Sequence, residues 1–278
     1  MRRARHRILP VLIAAGAFWF IVGRGRQRGS EPQDRNDAPA DTGRYVATVQ
    51  QGLGASVAIL LDQSGSMKDR PASEDGDRKY LIARRALAEV LAQTDSFVTR
   101  QPGFPVNVGL YTFDSDVETI LPIAPFDRAS LERALDGLRA PRGSTAIGDA
   151  MAVATADLYR AGTIRKYLLV VTDGENTTGR SPETVAREIT RRSEGAVKVF
   201  LVAFDVDADK FAFVNDVRGT VIEARDAVAL RAGLDTLYRG RILAEAVDAG
   251  ETLPLLHPID STAPAGAAAA PPSPLRPR

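Results

Sequence analysis

Asp62, Ser64 and Ser66 stand at alternate positions of the segment LLDQSGSM (60–67), a carboxylate and two hydroxyls close enough to turn their oxygens toward one point. Gly65 permits the tight turn that such convergence needs. Two other segments carry the same kind of group. GSTAIGDA (143–150) supplies Thr145, and VVTDGEN (170–176) supplies Asp173 with Gly174 freeing the turn after it. The chemistry open to such a set is narrowed by what the chain lacks. It has no cysteine, so disulfides, thiolate zinc sites and cysteine nucleophiles are excluded. Its two histidines, His6 and His257, lie outside the stretch that reads as the folded domain, which removes the commonest general base and transition-metal ligand. A hard divalent cation held by oxygen ligands is what remains natural. Singly, Asp62 and Ser64 would serve as turn caps, Asp173-Gly174 as a turn pair and Thr145 as a helix N-cap. It is their joint placement that points to a metal.

That placement depends on the elements around them. SVAILLD (56–62), VGLYTF (108–113), VETILPI (117–123), KYLLVVTD (166–173) and VKVFLVAFD (197–205) are short apolar runs, several without alternation, as in strands buried on both faces of a parallel sheet. TVIEA (220–224) is a shorter candidate. Helical patterns fall between them over Lys79–Phe97, Ser130–Leu138, Ala146–Ala161, Ser181–Ser193 and Asp226–Val247. Ser181-Pro182-Glu183 reads as an N-cap followed by proline at the first helical position. The alternation predicts a doubly wound, Rossmann-like α/β fold: a mostly parallel sheet with helices on both faces and one antiparallel edge strand at the 108–123 hairpin. Ligands of such sheets bind beyond the carboxyl ends of the strands. Asp62 and Asp173 each end a predicted strand and Thr145 starts a helix, so the three segments meet at that end.

Asp-x-Ser-x-Ser at 62–66, a threonine in a glycine-containing loop at 145 and an aspartate after a buried strand at 173 together resemble the von Willebrand factor A domain and its metal-ion-dependent adhesion site. The resemblance covers about residues 53–240, and DQSGSM, STAIGDA and TDGEN look like bacterial membrane-anchored members. It implies that Ser64 and Ser66 ligate the metal through their hydroxyls. Thr145, Asp62 and Asp173 would join directly or through water. Mg²⁺ is the implied ion, with Mn²⁺ or Ca²⁺ as alternatives. Two carboxylates neutralise a dication, and Mg²⁺ prefers six ligands while keeping waters readily. A position then stays open for an Asp or Glu of a protein partner, so the implied role is docking, for adhesion or assembly, without catalysis. The bacterial flavour also raises a MoxR-type AAA+ ATPase as partner, which requires a cytoplasmic domain. The rival readings are a scaffold with a purely structural metal and a Mg²⁺-dependent phosphatase of the haloacid dehalogenase type. The latter wants a second aspartate two residues after the nucleophile, where this chain has Ser64.

The rest of the chain reads as attachment. Ile8–Gly23 (ILPVLIAAGAFWFIVG) is an apolar run flanked by basic residues, and it is expected to be a single transmembrane anchor within residues 1–28. The competing cleaved signal peptide would leave FWFIVGR as an exposed apolar N-terminus. The arginine balance favours a cytoplasmic N-terminus and an exported, periplasmic domain at the inner membrane. Residues 29–44 read as a flexible stalk, 45–248 as the domain and 249–278 as a disordered Pro/Ala-rich tail. The first 30 residues hold seven arginines and no acid, and the remainder carries 29 basic against 35 acidic groups. A domain of that sign repels phosphate backbones, so no nucleic-acid partner is expected. Among the leftover features, the acidic loop 68–77 and Asp114-Ser115-Asp116 read as a solvated loop and a hairpin turn. Asp149 reads either as a brace for the metal loop or as a helix-surface acid.

Overall fold

The computed structural model describes residues 43–45, 49–73 and 76–244. The expected anchor at 8–23, nearly all of the stalk and the Pro/Ala-rich tail lie outside the described residues. Among the described residues no helix is long and apolar enough to cross a membrane.

Six strands build one sheet: β1 (Gly52–Asp62), β2 (Val106–Phe113), β3 (Val117–Pro125), β4 (Thr163–Thr172), β5 (Val197–Phe204) and β6 (Thr220–Ala224). Their order is β3-β2-β1-β4-β5-β6. Every neighbouring pair is parallel except β2 with β3, which is the expected antiparallel edge. The helices are α1 (Lys79–Arg100), α2 (Arg128–Asp136), α3 (Ile147–Arg160), α4 (Pro182–Ser193), the single turn α5 (Phe213–Asp216) and α6 (Ala227–Leu237). The mixed sheet with flanking helices is the fold that the alternation of patterns predicts.

β1 runs through the middle, and its side chains explain the two-sided core. Val57, Ile59 and Leu61 pack with Ile82, Leu87 and Val90 of α1 and Leu230 and Leu234 of α6. Ala58 and Leu60 point the other way, to Met151 and Leu158 of α3 and Val185 and Ile189 of α4. Alternate residues serve opposite faces, and both faces are apolar because helices cover both. Several boundaries differ from expectation, three of them for reasons visible in the structure. β1 begins at Gly52 and β4 at Thr163, ahead of their apolar runs, because Gly52 pairs with Thr163 across a register shift that apolar patterning cannot reveal. The last helix leaves α geometry at Tyr238 and continues as a π turn to Leu243. The 3-10 turn Ala208–Phe211 and α5 have too few residues to show a period.

Local signals behave as their chemistry requires. Ser181 caps α4 by accepting the Thr184 N–H at 3.3 Å, with Pro182 in the first turn. Replacing Ser181 with alanine is expected to cost about 1 kcal/mol, measured by urea unfolding. At the β2–β3 hairpin the Asp116 N–H donates to Asp114 Oδ1 at 3.0 Å, the turn role expected for those acids.

Candidate metal centre

The order of the sheet decides where the site lies. β1 has β2 on one side and β4 on the other, so the chain leaves the carboxyl ends of β1 and β4 side by side at the switch point. Asp62 is the last residue of β1, and Asp173 follows the last residue of β4. Both are buried.

The Asp62 carboxylate is fully enclosed. Its Oδ1 accepts the Ser64 N–H at 2.7 Å, and its Oδ2 accepts the Thr172 hydroxyl at 2.6 Å. The first contact bends the chain back after β1, and Gly65–Lys68 then forms a 3-10 turn. That turn brings Ser64 Oγ to 3.1 Å from Ser66 Oγ, and the Ser66 hydroxyl donates to Asp173 Oδ1 at 2.7 Å. Asp62, Ser64, Ser66 and Asp173 are therefore one hydrogen-bonded cluster.

Thr145 reaches the cluster through its loop rather than through a direct bond to those four. The Gly65 N–H donates to Gly143 O at 3.1 Å, which seats the 143–146 loop on the turn after β1. The loop is held from two further sides. Ser115 Oγ accepts the Ser144 N–H at 3.0 Å, and Asp114 O accepts the Ala146 N–H at 2.9 Å. From the segment after β4, Thr177 Oγ1 accepts the Thr145 N–H at 2.9 Å, and the Thr177 N–H donates to Thr145 O at 2.9 Å. Asp149 belongs to the same clasp, with Oδ1 accepting the Arg180 N–H at 3.3 Å. All five sequence-identified residues thus gather at one edge.

Sequence reasoning missed four members of the surroundings: Thr172, Thr177, Lys79 and Asp205. The Lys79 ammonium lies 3.0 Å from Asp173 Oδ2 and 2.9 Å from Asp205 Oδ2, with its side chain 9% exposed. Burial works against that charge, but the hydrogen bonds and charges of Asp205 and Asp173 outweigh it and raise its pKa above the ordinary lysine value. One sequence signal existed: a lysine opens α1, where the positive end of the helix dipole disfavours it.

Asp62 has the opposite problem. Burial, opposed by the Thr172 and Ser64 hydrogen bonds and reinforced by nearby Asp173, pushes its carboxyl up to about 7. The Ser64 N–H and the Thr172 hydroxyl that donate to it are neutral, so the carboxylate is short of positive charge. That shortage fits a cation. The donor set is two carboxylates and three hydroxyls, suited to a hard dication. Among the described residues no three His, Cys, Asp or Glu side chains form a metal cluster, so a cage built from those groups alone is not what the edge offers.

Comparison with known proteins agrees with this architecture. No curated protein matches the chain. Among solved structures, BatB from Bacteroides thetaiotaomicron superposes with a TM-score of 0.54 at 20% identity, over 69% of this chain and 100% of that one. An aerotolerance-related membrane protein from Bacteroides fragilis gives 0.54 at 18% identity, over 67% and 100%. The PilB minor pilin of Streptococcus sanguinis gives 0.57 at 13% identity, and the match spans 70% of this chain but only 63% of the pilin. At these identities the likeness is one of fold. The family profile of the von Willebrand factor type A domain matches residues 56–224, which runs from within β1 to the end of β6 and takes in all five residues of the cluster. The chain belongs to the von Willebrand factor type A domain family.

Proposed function

We propose that this edge binds a divalent cation, Mg²⁺ before Mn²⁺ or Ca²⁺, and uses it to dock an acidic side chain of a protein partner. Domains of this family generally mediate protein–protein interactions. The observation that carries the reading is the enclosed Asp62 carboxylate, with neutral donors, joined through Ser64 and Ser66 to Asp173. Ser64 and Ser66 would hold the ion by their hydroxyls, with Thr145, Asp62 and Asp173 completing or orienting its shell. Hydroxyl ligands add no charge, so the ion keeps enough electrophilicity to attract a carboxylate.

The proposal assigns no turnover. Phosphatase chemistry at the end of β1 needs a second carboxylic acid two residues after Asp62, and Ser64 is engaged there with Ser66. Membrane attachment through residues 8–23, with the domain on the exported side, is part of the same reading. A topology reporter fused after Arg278 distinguishes it from a cytoplasmic domain suited to a MoxR-type ATPase.

Calorimetric titration of the metal-free protein with Mg²⁺ is the direct test. Saturable binding and a rise in melting temperature are expected, with about 2.7 kcal/mol of added stability at a hundredfold excess over Kd. Immobilised peptides bearing one glutamate should retain the protein in Mg²⁺ and release it in EDTA, while glutamine counterparts should not retain it. No heat and no thermal shift would sink the metal reading. Binding of Mg²⁺ with equal retention on both peptides would leave a structural metal and remove the docking role.

A further inference from the structure

Lys79 is the one buried cation at this edge among the described residues, and its contacts divide the Asp173 carboxylate in two. Oδ2 is taken by the ammonium at 3.0 Å, while Oδ1 faces the site through Ser66 at 2.7 Å. The ammonium is itself fixed from behind by Asp205 Oδ2 at 2.9 Å. Asp205 has a left-handed backbone, φ 56°, and its Oδ1 accepts the Ala72 N–H at 3.1 Å, so the far side of the bridge is pinned to the loop before α1. The Lys79 N–H donates to Asp69 O at 2.9 Å, fixing the lysine's own backbone. A lysine in the first turn of a helix opposes the helix dipole. Here it is buried between two carboxylates.

We propose that Lys79 is the residue that sets cation selectivity at this edge: by occupying Asp173 Oδ2 it limits Asp173 to one oxygen for a bound ion and so favours Mg²⁺ over Ca²⁺. The inference rests on the metal reading given above. Its chemistry is that of the two ions. Ca²⁺ takes six to eight oxygens and accepts bidentate carboxylates, whereas Mg²⁺ demands six near-octahedral ligands and keeps waters. An oxygen already bonded to an ammonium is the poorer donor to a cation, so Asp173 offers Oδ1 to an ion ahead of Oδ2.

The test is calorimetric titration of wild type and Lys79→Met with Mg²⁺ and with Ca²⁺, after circular dichroism has shown that each is folded. The ratio of the Ca²⁺ to the Mg²⁺ dissociation constant should fall at least tenfold in Lys79→Met, through tighter Ca²⁺ binding, and should stay near the wild-type value in Lys79→Arg. Should Lys79→Met fail to fold, the double variant Lys79→Met with Asp205→Asn replaces it, because Asp205 then loses its charge along with its partner. The same fall in the ratio is expected there. An unchanged ratio in a folded variant without the ammonium overturns the selectivity role while leaving the metal site intact. Binding of neither ion by wild type overturns the metal reading and the selectivity role together.

Discussion

Asp62→Asn is expected to weaken Mg²⁺ binding at least a hundredfold while leaving the metal-free fold as stable as before, or more so. The carboxylate is fully buried and both groups that donate to it, the Ser64 N–H and the Thr172 hydroxyl, are neutral, so its charge is a cost in the absence of an ion. An asparagine side chain has the same shape, and its oxygen can still accept the Ser64 N–H. Its amide group meets Thr172 Oγ1, whose hydroxyl has a second acceptor in Gly174 O at 3.0 Å. The threonine can therefore rotate its proton to Gly174 and accept from the amide. With the ion, the balance reverses, since half the carboxylate charge of the two-aspartate set is gone. A loss of at least a hundredfold in Mg²⁺ affinity is expected, roughly 2.7 kcal/mol. Calorimetry reads the affinity, and melting in EDTA reads the fold. A variant that binds Mg²⁺ like wild type removes Asp62 from the site. One that melts far below wild type in EDTA shows that the carboxylate supports the fold rather than the ion.

Gly148→Ala is expected to destabilise the domain by about 3 kcal/mol, although glycine to alanine inside a helix ordinarily stabilises by up to about 1 kcal/mol. Gly148 lies in the first turn of α3, three residues after Thr145. A Cβ there would lie 2.1 Å from Arg180 O, 2.8 Å from Arg180 C and 3.1 Å from Pro182 N. All three are backbone atoms, and Pro182 begins α4, so they cannot yield as a flexible side chain would. The Gly148 N–H also donates to Asn176 Oδ1 at 3.3 Å, so the same glycine fastens α3 to the segment after β4. Forcing the two apart strains the Thr145–Thr177 clasp, and weaker Mg²⁺ binding should accompany the lost stability. Urea unfolding checks the first effect and calorimetry the second. A stabilised variant would mean that the α3–α4 approach is looser than these distances indicate.

The five oxygen-bearing residues, the strands that lead to them and the α/β class are legible in the sequence. These are short-range properties: a run of apolar residues is visible as a run, and Asp-x-Ser-x-Ser needs only one turn to converge. The Ser181 cap and the Asp114–Asp116 turn were legible for the same reason, since donor and acceptor lie within three residues of each other. Which groups stand beside those residues depends on how the chain packs. Thr172 meets Asp62 from 110 positions away, and Lys79 meets Asp173 from 94, because β1 lies between β2 and β4 and α1 begins close beside them. No local pattern encodes that order. A lysine at the head of a helix looks like a surface charge until the sheet brings two carboxylates to it. Side-chain direction is likewise a product of packing: Asp173 turns one oxygen to Ser66 and the other to Lys79. The chain therefore spells out the oxygen-bearing side chains, and the fold assigns the neighbours of each oxygen.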